Sequence, residues 1–168
     1  TYTADKTAID GGVPLLIIRE GTLIGLLVVA AFCMFALLTY DAQDPGWSAT
    51  GTGLGIENAM GPTGAWVADF AYSFLGYSAF IVPLMLVYRS WLIFKDRYEP
   101  LRFDWLTIGT KTAGGLLMLL GFTCLFALTA VIDQSSLPFG GGGWVGRKLA
   151  EALQAALGGS GSVLTTLA

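Results

Sequence analysis

The sequence contains no histidine and few charged residues. Its 168 residues include 9 Lys and Arg and 12 Asp and Glu, which is 12% of the chain and a formal net charge of −3. Soluble domains carry about 25% charged residues, so this composition is not that of an ordinary soluble domain. The negative net charge excludes a general basic surface for nucleic acid. The lack of histidine removes the commonest metal ligand and acid–base group.

Cysteine is also scarce. The only two cysteines, Cys33 and Cys124, both fall inside long apolar blocks. The simplest interpretation is two buried small hydrophobic side chains, and a disulfide inside a bilayer is the alternative. We therefore favour free thiols packed among apolar neighbours.

What the sequence does contain is apolar residues in long runs. Hydrophobic residues make up 54% of the chain, and its mean hydropathy is +0.66. Residues 21–40 carry no charge and would form a helix of about 30 Å, the thickness of a hydrocarbon core. The pattern predicts an all-α polytopic membrane protein with a cytoplasmic segment at 1–20 and a transmembrane domain at 21–168. The predicted spans are 21–40, 78–94, 112–132 and a fourth that begins at 162–168 and is incomplete. We expect the chain to be a piece of a longer protein.

A glycine-bounded pattern occurs twice, 82 residues apart. Each copy predicts a short amphipathic helix, at 64–74 and 144–157, that lies at the external membrane surface and leads into a span. A single continuous helix over 64–94 is the alternative for the first copy. The matched pairs are Gly61/Gly143, Gly64/Gly146, Ala68/Ala150, Asp69/Glu151, Leu75/Leu157 and Gly76/Gly158. The residues predicted to hold these helices at the interface are Trp66, Phe70, Phe74, Trp144, Leu149 and Leu153.

Two features of these copies resemble functional sites. Asp69 and Glu151 are predicted to lie on solvated polar faces, and a proton or cation path is the alternative. Gly141, Gly143 and Gly146 match GxGxxG, but a dinucleotide site also needs a preceding strand within a βαβ unit. We interpret this stretch as a flexible external loop that enters the second amphipathic helix.

Basic residues are distributed unevenly between the loops. The segment 41–63 has no Lys or Arg, whereas 95–111 contains Lys95, Arg97, Arg102 and Lys111. Because basic residues accumulate in cytoplasmic loops, the N-terminus and 95–111 are predicted to be cytoplasmic. Segments 41–63 and 133–143 are then external.

Two loop surfaces are candidates for partner contacts. The first external loop has exposed apolar residues and too many glycines to pack firmly by itself; its candidates are Trp47, Leu54, Ile56 and Met60. The alternative is that these residues rest on lipid headgroups or on the helix at 64–74. The second surface is cytoplasmic, and topogenic charge is its alternative; its residues are Arg97, Tyr98, Arg102 and Trp105.

Three stretches of the chain resemble a known family. They are TYDAQDPGWS, MGPTGAWVADFAYSFLGYSAFIVPLML and LPFGGGGWVGRKLAEALQAALGGSGSVLT. From about residue 21 to the end, the sequence resembles the amino-terminal four-helix membrane domain of the FtsK/SpoIIIE DNA translocases. DPGWS and GPxGAWxAD are the most specific parts of the match.

The resemblance implies a bacterial inner-membrane anchor at the division septum, with contacts to divisome membrane proteins and to lipid. It also implies a hexameric, ATP- and Mg-dependent motor elsewhere in the protein that pumps chromosomal DNA. No catalytic, cofactor-binding, metal or DNA-contacting residue carries over to this chain, so we predict that the chain itself is not an enzyme. A small transporter or channel subunit is the main alternative, and a membrane enzyme is the third.

Overall fold

A computed structural model describes residues 2–51, 55–96, 104–129 and 137–157, with side chains from residue 17 to residue 156. Within these ranges the chain is helical and contains no strand. A 3-10 helix, Gly76–Phe80, joins the second and third α-helices. The α-helices are α1 Tyr2–Leu38, α2 Gly61–Leu75, α3 Ile81–Lys95, α4 Trp105–Leu128 and α5 Gly143–Leu157.

Three helical stretches are long and apolar enough to cross a membrane. They are Ile17–Leu38, Gly61–Lys95 and Trp105–Leu128. Helices suit a bilayer because they pair their backbone polar groups internally. The all-helical membrane fold predicted from the sequence is therefore confirmed. The predicted fourth span at 162–168 lies outside the described residues.

The core forms where α1, α2 and the 3-10 helix meet. Small side chains let these backbones approach closely, and Ala36, Ala68 and Ala79 are almost fully buried there. The Tyr72 hydroxyl donates to the carbonyl of Leu37 at 3.0 Å. Because the last carbonyls of a helix have no partner within the helix, this hydrogen bond satisfies one at the end of α1. The core thus stabilises the region from which the α1–α2 loop begins.

The backbone breaks at Gly76, between α2 and the 3-10 helix. Gly76 has a φ of 59°, in the left-handed region. A Cβ here would collide with the Gly141 carbonyl, which accepts a hydrogen bond from the Tyr77 amide at 2.8 Å. Glycine is therefore required by both the conformation and the space. Helical residues run without a gap from Gly61 to Lys95, and the helix type changes at Gly76.

Helix α4 begins earlier than the charge pattern indicates. Asp104 caps it, accepting hydrogen bonds from the Thr107 hydroxyl at 2.6 Å and from the Leu106 amide at 3.1 Å. These two hydrogen bonds hold the pKa of Asp104 below its usual value. Residues 105–111 are consequently the first turns of a helix, and the loop before α4 is shorter than predicted. Arg19 of α1 donates to the Asp96 carbonyl after α3 at 2.9 Å, which brings those two chain segments together.

Candidate functional site

Asp69 of α2 is buried beneath the loop that joins α1 to α2. It is 4% exposed, and its carboxylate accepts a hydrogen bond from the Tyr40 hydroxyl at 3.2 Å. Ser48 donates two more, from its backbone amide at 2.5 Å and from its hydroxyl at 2.8 Å. The prediction that Asp69 lies on a solvated face is wrong, because the loop folds back over α2 and replaces water with its own donors.

The loop backbone approaches this carboxylate as closely as its side chains do. A Cβ on Gly46 would lie 2.6 Å from Oδ2 of Asp69, so only glycine fits at that position of the DPGWS motif. Burial, and then the charge of Asp69, raise the pKa of Tyr40 well above its usual value. A phenol is protonated at neutral pH in any case, and the raised pKa extends its role as a donor further into the alkaline range.

A second buried acid organises the other end of the loop. Asp44 is 5% exposed and accepts the backbone amides of Glu57 at 2.8 Å and Asn58 at 2.9 Å. The Asn58 side-chain amide in turn donates to the carbonyls of Ala36 at 2.8 Å and Thr39 at 3.2 Å, at the end of α1. The expectation that this loop has too many glycines to pack firmly is therefore wrong for its described residues.

This hydrogen-bonded loop holds Trp47 against α2. The indole ring lies 6.0 Å from the Phe70 ring and 5.2 Å from the Phe74 ring, measured between centroids. Trp47 nonetheless remains 48% exposed. The loop thus presents a large aromatic side chain in a defined position, rather than burying it.

Trp47 belongs to a continuous row of rings, which we call the aromatic ridge. Trp66 stacks on Phe70 at 5.7 Å, and Phe70 contacts Phe74 at 4.6 Å. Trp144 at the start of α5 extends the row, lying 6.2 Å from Phe74. The aromatic ridge consists of Trp66, Phe70, Trp47, Phe74 and Trp144.

The other predicted site residues are not all brought into this ridge. Ile56 is 40% exposed on the same loop, whereas Met60 packs against the hydrophobic core. Leu54 lies outside the described residues. On α5, Leu153 is 43% exposed and Leu149 is half-buried. Of the cytoplasmic candidates Arg97, Tyr98, Arg102 and Trp105, only Trp105 is described, and it is 78% exposed at the start of α4.

Glu151 of α5 behaves as the sequence predicts. Its carboxylate is exposed, lies 2.8 Å from the Lys148 ammonium and 3.9 Å from the Arg147 guanidinium. The hydrogen bond from Lys148 holds the pKa of Glu151 below its usual value. The predicted solvated polar face is therefore confirmed for the second copy of the repeated acid and wrong for the first.

The glycine-rich stretch before α5 is a packing element. Gly141, Gly142 and Gly143 are buried, and a Cβ on Gly142 or Gly146 would collide with the Thr123 carbonyl of α4. The glycines therefore let α5 approach the α4 backbone directly. The predicted flexible loop is wrong for these residues, whereas packing accounts for the GxGxxG spacing without a nucleotide.

The described part of the chain contains no group of three or more His, Cys, Asp or Glu side chains placed to hold a metal ion. Cys33 and Cys124 are both free and half-buried. Two buried carboxylates hold the α1–α2 loop in place through hydrogen bonds. The same arrangement leaves aromatic rings exposed.

Three residues that order the α1–α2 loop are not among those predicted from the sequence: Asp44, Ser48 and Asn58. Each is a short polar side chain next to Pro, Gly or a chain reversal, where such side chains bind nearby backbone groups. Short polar side chains at such positions indicate that the loop is ordered by its own hydrogen bonds. They do not reveal that Ser48 binds Asp69, because those residues are 21 positions apart.

Comparison with known proteins identifies relatives of the chain. Residues 17–168 match the family described as the 4TM region of DNA translocase FtsK/SpoIIIE. DNA translocase FtsK of Pseudomonas syringae pv. tomato is 35% identical over 152 residues, which are 90% of the chain and 19% of that relative. DNA translocase FtsK of Shewanella oneidensis is 34% identical over 134 residues, which are 80% of the chain and 14% of that relative. The chain thus spans less than a fifth of these relatives, and no solved structure matches it.

Proposed function

The chain belongs to the family of FtsK/SpoIIIE 4TM regions, and from this premise we propose that it anchors an ATP-driven DNA translocase in the bacterial inner membrane and targets it to the division septum. In this role it contributes no catalysis. ATP, Mg and DNA would be bound by a motor outside these residues, which assembles as a hexamer. The chain itself contacts lipid and divisome membrane proteins.

The orientation within the membrane follows from charge. The α1–α2 loop has no Lys or Arg, whereas Lys95 ends α3 and Lys111 lies in the first turns of α4. Because basic residues favour the cytoplasmic side, the N-terminus is placed inside and the α1–α2 loop outside. The contact between Arg19 and the Asp96 carbonyl supports this arrangement, since the charge rule then requires both residues to be on the same side, and they are adjacent.

The interfacial role of α2 and α5 is part of the same proposal. Trp66 and Trp144 are each about half exposed, at 49% and 45%. Tryptophan rings favour the boundary between headgroups and acyl chains. Leu149 and Leu153 would continue the apolar face of α5 into that boundary. The two helices then lie at the external surface, while α1, the stretch 76–95 made of the 3-10 helix and α3, and α4 cross the membrane.

The observation that carries the targeting proposal is the position of Trp47. Ser48 binds Asp69 through two hydrogen bonds, and this contact holds the neighbouring Trp47 on the ridge with half of its surface exposed. Tryptophan is enriched among the residues that dominate protein interfaces. A rigid exposed ring also loses little conformational entropy on binding. We therefore assign Trp47, with Ile56 exposed on the same loop, to the divisome contact.

Fluorescence imaging of the full-length protein tests this assignment. A fluorescent fusion carrying Trp47→Ala and Ile56→Ala should insert in the membrane at normal abundance and lose its concentration at the septum. Trp66→Ala is the matched control, because Trp66 is exposed to the same degree as Trp47, 49% against 48%, but lies on α2 rather than on the loop. Retention of septal fluorescence by the loop variant, together with its loss on substitution of Arg97 and Arg102, would move the contact to the cytoplasmic side.

A small transporter or channel subunit is not favoured by any observation. A transport path needs polar groups that face a water-filled route. Asp69, the buried acid nearest to such a role, has its carboxylate occupied by loop donors. Thr123, fully buried in α4, donates to the Leu120 carbonyl of its own helix at 2.8 Å.

A further inference from the structure

A cavity of about 330 Å³ lies where the α1–α2 loop, α2 and the start of α5 come together. Its walls are mainly aromatic: the lining residues are Trp47, Ser73, Phe74, Phe139 and Trp144. Water gains few hydrogen bonds against such walls, so apolar atoms are the favoured occupants. In a membrane protein the most abundant source of apolar atoms is the acyl chain of a lipid.

The single polar residue of this lining lacks a partner. Ser73 is fully buried, and its hydroxyl has no hydrogen bond within the described part of the chain. The hydroxyl lies behind the aromatic walls, out of reach of an occupant, so the cavity offers an apolar surface and the charge at its edge.

Positive charge lies at the edge of the same cavity. The Arg147 guanidinium is 5.8 Å from the ring centroid of Phe139, one of the lining residues. Lys148 follows it, and these two cations share the single carboxylate of Glu151. The edge of the cavity therefore keeps a net positive charge, which complements a lipid phosphate.

We propose that this cavity is a binding site for an anionic phospholipid. An acyl chain packs against the aromatic walls, and the phosphate pairs with Arg147. The site joins the α1–α2 loop to α5 through a lipid. It stands on the cavity and the adjacent charge, and it rests on the proposed placement of α2 and α5 at the membrane surface, not on septal targeting.

Tryptophan quenching by brominated acyl chains tests the proposal in vesicles containing the 168-residue chain. One reporter keeps Trp144 alone, with the other four tryptophans changed to Phe so that the aromatic wall persists. A reference reporter keeps Trp66 alone, which is similarly exposed, at 49% against 45%, but does not line the cavity. Brominated phosphatidylglycerol and brominated phosphatidylcholine are compared at the same mole fraction. We expect about fivefold enrichment of the anionic lipid at Trp144, from one cation near the surface, and no headgroup preference at Trp66.

Two further variants in the Trp144 reporter locate the charge that is responsible. Arg147→Gln should abolish the preference for phosphatidylglycerol, because Arg147 is the cation at Phe139. Lys148→Gln, with a side-chain exposure of 54% against 52% for Arg147, should reduce the preference less, because Arg147 is the cation that lies over the Phe139 ring. Equal quenching by the two lipids in the unmodified reporter would overturn the proposal, since the cavity would then take acyl chains without recognising an anion. Absence of quenching by either lipid would also overturn it and would indicate a protein side chain as the occupant.

Discussion

Helices α2 and α5 have similar sequences, and the protein uses them differently. Both are 15 residues long. Both begin at a glycine in the left-handed region, Gly61 with a φ of 67° and Gly143 with a φ of 64°. The aligned alanines Ala68 and Ala150 are both buried, at 0% and 6% exposure. The shared pattern therefore specifies a chain reversal followed by a helix with one closely packed small-residue face.

The aligned acids, Asp69 and Glu151, have different surroundings in the two helices. Asp69 is covered by the α1–α2 loop and holds it through Ser48 and Tyr40. Glu151 faces outward and pairs with basic side chains of its own helix. A carboxylate at the same position of the same pattern is thus a tertiary contact in one copy and a surface charge in the other. The difference arises because a loop returns over α2, whereas no described segment returns over Glu151.

The aligned glycines, Gly64 and Gly146, also have different neighbours in the two helices. A Cβ on Gly64 would collide with the Asn58 side chain, whereas a Cβ on Gly146 would collide with the Thr123 carbonyl. Gly64 therefore makes room for the α1–α2 loop, and Gly146 makes room for α4. The glycine pattern therefore predicts that another segment approaches the helix closely, but it does not predict which segment that is.

Accessibility labelling gives the largest expected effect, since each cysteine either reacts or does not. It tests whether α2 and α5 begin on the same side of the membrane. In a chain with Cys33 and Cys124 replaced by Ala, Glu57→Cys and Pro138→Cys should react with an impermeant maleimide added from outside the cytoplasm. Asp96→Cys should react only after permeabilisation. All three replaced positions are exposed. Reaction of Glu57→Cys only from the cytoplasmic side would contradict the orientation.

Replacing Gly76 by Ala should destabilise the fold most among single substitutions of small residues. The new Cβ meets the backbone of residues 141–143, which cannot move aside, in a left-handed conformation. We expect a loss of about 2–5 kcal/mol in the free energy of unfolding, measured by denaturation in mixed micelles. Gly114→Ala is the control, because nothing lies within 4 Å of its Cβ position. An equal loss in both variants would show that α2 and α5 do not meet at Gly76.

Exchanging the two acids for amides tests the comparison itself and gives a smaller effect. Asp69→Asn weakens charge-assisted hydrogen bonds in a buried site, so we expect a loss of about 1.5–3 kcal/mol in the free energy of unfolding. Release of the loop should also reduce the near-ultraviolet circular dichroism of Trp47. Glu151→Gln should leave both measurements unchanged within error, because its partners are exposed. Equal changes in stability and in circular dichroism for the two variants would contradict the distinction between a buried Asp69 and an exposed Glu151.

Much of the fold was predictable because it rests on local patterns. Uncharged apolar runs predicted the membrane helices, and Gly61 and Gly76 predicted where α2 begins and ends. The aromatic residues of the ridge were identified singly, as interfacial or partner-binding side chains. Their assembly into one row was not predictable, since Trp47 and Trp144 reach Phe74 from different parts of the chain. The charge pattern predicts the start of α4 too late, because basic residues are typical of loops, whereas Asp104 caps the helix before them.

The sequence by itself determined that this protein is helical and lies in a membrane, because a bilayer accepts long apolar segments only when their backbone groups are paired within the helix. It also determined the family, through motifs such as DPGWS. Only the tertiary structure decided which acid is buried. The donors to Asp69 come from residues 21 and 29 positions away, so no local pattern records them. Whether a polar side chain is solvated depends on what covers it, and the covering segment is placed by the packing of the whole chain.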